Sequence, residues 1–203
     1  MTATLRCSAW ILAGGAGRRI GMPKALLRLD GRSLLARTVR TVRHCGLPAT
    51  VLGPADLRPL LERDGLPLVR VLPDLVPGRG PLPALASALQ HSRTEWILLV
   101  ACDYPRLDPR LLRLLLDAAP HSRADAILPT SPQGRLQPLC ALYRTRLHRR
   151  LHHLLRNGSQ RVFDLVDAIA VDVLPWSTLA RSGCRNDALL NLNRKHQLQT
   201  LRR

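Results

Sequence analysis

Thirteen residues, Leu12 to Lys24 (LAGGAGRRIGMPK), hold four glycines, two adjacent arginines and one of only two lysines in a chain of 203 residues. Glycines carry no Cβ, so backbone N–H groups can converge there on an anion, and Arg18, Arg19 and Lys24 add positive charge beside them. A phosphate-binding loop is the chemistry this composition suits. Neither of the two commonest such loops is present: Ile20 stands where GxGxxG needs its last glycine, and there is no Gly-Lys pair for a Walker A loop. The plain alternative is a glycine-rich turn between a strand and a helix. It accounts poorly for Lys24, because Pro23 keeps that lysine out of a regular helix start and in a loop of the same site.

A second chemical group follows the apolar run WILLVA (96–101). Asp103 sits just past it, and a carboxylate at the carboxyl end of a buried strand, facing a phosphate loop, is placed to hold Mg²⁺. The competing reading is a cap or turn residue before Pro105. Asp74, preceded by Pro73 and followed by Gly and Pro, reads equally well as a turn. The chain offers no Ser-His-Asp or Cys-His arrangement. Its histidines gather in RLHRRLHHLL (146–155), where His148 and His152 are four apart; an amphipathic surface helix suits them better than a metal pair. The cysteines (Cys7, Cys45, Cys102, Cys140, Cys184) are odd in number and form no CxxC, which argues for reduced, mostly buried thiols and against a zinc site or disulfide framework.

The elements that position these groups alternate. Strand-like runs at 9–14, 49–53, 68–72, 96–101 and 124–129 are separated by helical patterns from Ser33 onward and at 55–63, 82–91 and 108–119. Further strands are expected at 139–143 and 169–174, and helices at 145–156 and 194–202. This is the pattern of βαβ units, and it predicts an α/β fold: a three-layer, Rossmann-like, mostly parallel sheet covered on both faces, in one domain spanning 1–203. Ligands in such sheets bind beyond the carboxyl ends of the strands, where Gly14, Gly15 and Gly17 fall.

Composition narrows the partners. Of 31 basic residues only Lys24 and Lys195 are lysines, and with 14 acidic residues the net charge is +17. The basic residues are spread along the chain without interleaved aromatics, which argues against nucleic acid and leaves solvated faces or attraction for small anions. No apolar run is long enough to span a membrane, and the first residues lack a signal-peptide pattern; a soluble cytoplasmic protein is expected.

LAGGxxxRxGxxK, followed by two apolar residues and a Leu29-Asp30-Gly31 turn, resembles the signature of nucleotidyltransferases built on a Rossmann-like sheet, the nucleotide-diphospho-sugar transferase type of fold. Within that group the ordered set is most similar to the molybdenum cofactor guanylyltransferases: PDLVPGRGPL (73–82), LLVACDYP (98–105), QPLCALYR (137–144) and NLN (191–193) match in turn, across nearly the whole chain. The resemblance implies transfer of GMP from GTP to the terminal phosphate of the molybdenum-bound pterin (molybdopterin), with release of pyrophosphate. It implies that Leu12, Ala13 and Gly14 supply backbone contacts to base and ribose, and that Gly15, Gly17, Arg18 and Lys24 hold the triphosphate. Gly80, Pro81 and Leu82 then line the base pocket, Asp74 lies near the nucleotide, and Asp103 holds Mg²⁺. Lys24, Asp103 and Arg18 form the catalytic set. The acceptor is expected at Gln137, Pro138, Asn191 and Asn193, with Arg161 either at its phosphate or in solvent. A monomer that docks transiently on molybdenum-enzyme maturation proteins is implied.

Three positions depart from the family pattern. Gly53-Pro54 replaces an Asn after the second strand; Pro83-Ala84 replaces Ala-Gly after Gly-Pro-Leu; NLNRKHQ lacks the acidic residues usual after Asn-x-Asn. The first two bear on the choice of GTP. A cytidylyltransferase or another nucleotidyltransferase of this fold, and a non-catalytic protein that delivers the cofactor, are the competing readings.

Overall fold

The computed structural model describes residues 6–15, 21–74, 79–192 and 197. Its strands and helices, in chain order, are β1 (Cys7–Leu12), β2 (Arg28–Leu29), β3 (Arg32–Ser33), α1 (Leu34–His44), β4 (Ala49–Leu52), α2 (Leu57–Arg63), β5 (Arg70–Leu72), α3 (Pro81–His91), β6 (Trp96–Ala101), α4 (Pro109–Ala118), β7 (Ala126–Pro129), β8 (Cys140–Arg144), α5 (His148–Arg156), α6 (Val162–Val166), β9 (Val171–Leu174) and α7 (Trp176–Arg181). Seven strands form one sheet in the order β5-β4-β1-β6-β8-β7-β9. β8 is antiparallel to both β6 and β7, while the remaining ladders are parallel.

Alternation along the central strands builds the layers. Ala9, Ile11, Trp96, Leu98 and Val100 face a core shared with α1, α2, α4 and α7. Trp10, Ile97 and Leu99 face the opposite core, shared with α3, α5 and α6. A strand buried on both faces has no polar side to show, and all six residues of β6 are buried. The expected three-layer, mostly parallel α/β sheet is therefore the fold found.

The departures from expectation have local causes. The first strand ends at Leu12, not Gly14, and the Ala13 N–H makes the last bond of the β1–β4 ladder, to the Leu52 carbonyl (2.8 Å). Lys24 does not lie in a plain loop: Pro23 sits at the N-cap of a short 3-10 turn, Lys24–Leu26. The Asp30-Gly31 pair joins β2 to β3, with φ of 50° and 75°, the left-handed pair that a tight two-residue hairpin needs. The expected helix at 194–202 lies, Gln197 apart, outside the described residues.

Helix starts are set by side chains. The Ser33 hydroxyl accepts the Ala36 N–H (3.1 Å) at the head of α1, and Asp108 does the same for the Arg110 N–H (2.9 Å) at the head of α4. Among the described residues no helix is long and apolar enough to cross a membrane.

Candidate active site

β1 runs to its neighbours β4 and β5 on one side and β6 on the other, so the chain order reverses between β1 and β6. Loops leaving adjacent strands in opposite directions open a crevice there. Hydrogen bonds stitch the strand ends beneath it: Cys102 N–H to Leu12 O (3.1 Å), Gly53 N–H to Leu72 O (3.0 Å) and Ala101 N–H to Leu139 O (2.8 Å).

A cleft of about 410 Å³ lies on these ends, lined by Leu12, Gly14, Gly15, Lys24, Asp74, Gly80, Pro81 and Asp103 among the sequence-expected residues. Its remaining lining is Leu52, Ala84, Ala101, Cys102 and Leu139. These five carry a positional signal, since four of them stand at or next to a strand end on this edge. As apolar residues, however, they read from sequence as core.

At the centre of the cleft, Lys24 Nζ donates to Asp103 Oδ2 at 2.9 Å, with side chains 21% and 18% exposed. The other carboxylate oxygen, Oδ1, is buried with no hydrogen-bond partner among the described residues. A buried carboxylate oxygen left without a donor is costly unless a cation or water meets it. On the α3 wall, Ser87 Oγ lies 3.3 Å from Asp74 Oδ1 and aims that carboxylate into the cleft. Among the described residues no group of three or more His, Cys, Asp or Glu gathers around a common point. A divalent cation here would therefore need phosphate and water oxygens beside Asp103 and Asp74, the habit of Mg²⁺.

Gly80 caps α3 at φ 88°, and a Cβ built on it would stand 3.3 Å from the Gln160 carbonyl. Both the backbone angle and the space demand glycine. Pro81 and Pro83 carry no N–H, so the backbone donors at this end of α3 are those of Gly80 and Leu82, beside the positive end of the helix dipole.

The structure departs from one expected contact. Leu82 does not line the pocket: it is fully buried. One helical turn puts Pro81 and Ala84 on the cleft side of α3 and turns Leu82, Leu85 and Leu89 into the core. The Ala13 side chain is buried as well, its N–H is held by Leu52 O, and Leu12 O is taken by Cys102. Among the described residues, Ala13 O and the Gly14 N–H are the first backbone groups here without a hydrogen-bond partner.

The expected acceptor residues are partly gathered. The Tyr104 hydroxyl lies 3.3 Å from Gln137 Oε1, and an Asn191 hydrogen bond favours its ionised form, though burial, with lesser help from Cys140 and Asp103, holds the phenol well above its usual range. Asn191 Oδ1 is buried without a hydrogen-bond partner among the described residues. The Pro138 carbonyl is held by the Tyr143 hydroxyl (2.8 Å). Arg161 is exposed at the head of α6, where its N–H meets Asp164 Oδ2 at 3.4 Å, next to the Gln160 that touches Gly80. Gly17, Arg18 and Asn193 lie outside the described residues. His148 and His152 pack edge to face at 5.4 Å on α5, whose buried residue is Leu151. All five cysteines are free thiols.

Three comparisons bear on this cleft. Residues 9–170 match the family described as the MobA-like NTP transferase domain. A probable molybdenum cofactor guanylyltransferase from Pelotomaculum thermopropionicum is 30% identical over 93% of this chain and 88% of its own. The crystal structure of molybdopterin-guanine dinucleotide biosynthesis protein A from Archaeoglobus fulgidus superposes with a TM-score of 0.80 at 21% identity, over 96% of each chain. A Mycobacterium tuberculosis H37Rv protein solved with manganese superposes with a TM-score of 0.63 at 20% identity, over 89% of this chain and 98% of its own. The family match takes in both walls of the cleft and most of the chain: this protein belongs to the MobA-like NTP transferase family and is a nucleotidyltransferase.

Proposed function

We propose that the protein is a molybdenum cofactor guanylyltransferase, working as one domain and a monomer in the cytoplasm. It transfers GMP from GTP to the terminal phosphate of the molybdenum-bound pterin, and the product passes to maturation proteins of molybdenum enzymes. The observation that carries this reading is the Lys24–Asp103 pair, set at the sheet's reversal point beside the Gly14-Gly15 backbone and the head of α3.

In the transfer, an oxygen of the acceptor phosphate forms a bond to the α-phosphorus of GTP. The bond from that phosphorus to the bridging oxygen breaks, and pyrophosphate leaves with the electron pair. A phosphate nucleophile is already anionic near neutral pH, so no strong base is required, in keeping with a cleft built from Lys24 and two carboxylates. Catalysis then rests on alignment and on charge placed in advance. Lys24 holds negative charge growing at the α-phosphate. Gly14, Gly15 and Gly80 bind phosphate oxygens through backbone N–H groups, and Gly17 and Arg18 extend that cradle. The orphaned Oδ1 of Asp103 fits a hard cation, with Asp74 as the second carboxylate. Mg²⁺ held there would neutralise the triphosphate and the departing pyrophosphate. The manganese in the mycobacterial structure supports a divalent ion in this fold. Gln137, Pro138, Asn191, Asn193 and Arg161 form the acceptor side.

A cytidylyl reading has one observation in its favour. The methyl group of Ala84 stands in the cleft lining where the family pattern has glycine.

The test follows the label. With GTP carrying ³²P at the α-position, Mg²⁺ and molybdenum-loaded pterin, the label should appear in a pterin dinucleotide; with ³²P at the γ-position it should appear in pyrophosphate. Asp103→Ala and Lys24→Gln should each slow the transfer by about 10²–10³-fold, the usual cost of removing one preorganised charge-stabilising group. Label from the α-position recovered only in free GMP, or full activity in Asp103→Ala, would defeat the reading.

A further inference from the structure

A second concavity, of about 480 Å³, lies across the 102–107 loop from the nucleotide cleft and shares no lining residue with it. Its walls are the β2–β3 hairpin (Asp30, Arg32), one face of α1 (Arg37, Thr38, Arg40, Thr41), the loop Tyr104–Leu107, and Arg185. Five arginines scattered over more than 150 positions of sequence thus converge on one pocket.

Their charge is not cancelled. Asp30 is the only carboxylate in the lining, and it pairs with Arg37 at 3.2 Å. Behind the lining, the single carboxylate of Asp187 serves two guanidiniums, Arg106 at 3.1 Å and Arg185 at 3.0 Å. Asp108 accepts the Arg185 backbone N–H at 3.2 Å, so three carboxylates among five arginines leave an excess of about two positive charges. Among the described residues neither Arg32 nor Arg40 has a carboxylate partner; Arg40 holds only the Asp64 carbonyl (2.6 Å).

Four of the guanidiniums, those of Arg37, Arg40, Arg106 and Arg185, are also held in place. Arg37 is anchored by Nε to the Pro105 carbonyl (3.2 Å) and by Nη1 to Leu29 O (3.4 Å) and Asp30, leaving its Nη2 without a hydrogen-bond partner among the described residues. Asp187 orients Arg106 and Arg185 in the same way. Planar donors held ready in a polar hollow match phosphate oxygens, which they meet two at a time. The volume exceeds what one orthophosphate fills.

We propose that this pocket is an anion site for a diphosphate group, separate from the nucleotide cleft. It takes free pyrophosphate or the diphosphate of a small phosphorylated molecule. It does not depend on the guanylyltransferase reading.

Calorimetry on the full chain in EDTA, at low salt, tests it with inorganic pyrophosphate and, in a second arm, GDP. EDTA removes divalent ions, on which tight binding in the nucleotide cleft depends. Wild type should bind pyrophosphate, more weakly as salt is raised. Arg32→Gln/Arg40→Gln changes two exposed side chains and should weaken binding by about tenfold or more, while Lys24→Gln leaves it unchanged. Arg185→Gln provides an independent variant should the double variant melt early. GDP binding that is tighter than that of pyrophosphate and is weakened in Arg32→Gln/Arg40→Gln assigns the site to a nucleotide; tighter pyrophosphate binding assigns it to the free ion. No binding to wild type, unchanged binding in the arginine variants, or loss of binding in Lys24→Gln would overturn the proposal.

Discussion

Lys24 and Asp103 form one unit in which each neutralises the other; on the proposed function, the phosphates and cation of the substrate compete for both. Next to them, Cys102 shows what the site does not use. Burial, reinforced by the Asp103 charge and opposed by Lys24, pushes its thiol up to about 12, so it stays protonated and is no nucleophile at neutral pH. Burial does the same for Cys7, also to about 12, and pushes Cys140 upward too. The sign of the consequence follows from linkage. Unfolded thiols lose their protons near the ordinary value of 9.0, while the folded ones keep them to about 12. Their stabilising contribution is complete below pH 9 and is lost between 9 and 12, at about 1.4 kcal/mol per pH unit for each fully buried thiol. Urea melts from pH 8 to 11 should show this fall, and replacing Cys7 with Ala should make it shallower by one thiol's share; a flat profile in wild type would contradict it. Lys24 and Asp103 were legible in the sequence because glycines and a strand end announce them. Leu52, Ala101 and Leu139 were not, because an apolar residue at a strand end looks like core until the loop beyond it has turned away.

Among the elements, the head of α3 depends on one backbone angle. Gly80→Ala should cost about 1–3 kcal/mol, the penalty for a side chain at a positive φ with extended ψ that only glycine adopts readily, and should crowd the Gln160 carbonyl. It should also raise KM for the nucleotide more than it lowers kcat, because it moves the anion-facing end of α3. Thermal melts and steady-state kinetics check both, and an unchanged melt with unchanged KM would count against the role. Strands and long helices were legible because β6 is apolar throughout and because α1 and α4 carry apolar residues at helical spacing. The inward turn of Leu82 was missed because three consecutive motif residues do not reveal helix phase. α7, six residues long, has too few turns to show a period. The reversed direction of β8 depends on partners, not on its own residues.

For the molecule as a whole, one sheet sets two anion-seeking hollows on either side of the loop that carries Asp103. The arginine excess looked diffuse in sequence because Arg37, Arg106 and Arg185 come from separate elements, and only the packing of α1 against that loop brings them together. The fold leaves one choice to the cleft itself, the base of the nucleotide, where Gly53 and Ala84 depart from the family pattern. Gly53 is packed tightly, since a Cβ there would stand 2.8 Å from Leu57 Cδ1 and 3.4 Å from Ala13. The most direct test of the central claim is pyrophosphate release from each of the four NTPs, with Mg²⁺ and molybdenum-loaded pterin, in wild type and in Asp103→Ala. The account predicts release from GTP alone, dependent on the pterin and lost in the variant. Release from CTP in place of GTP, or no release from any nucleotide that binds, would contradict it.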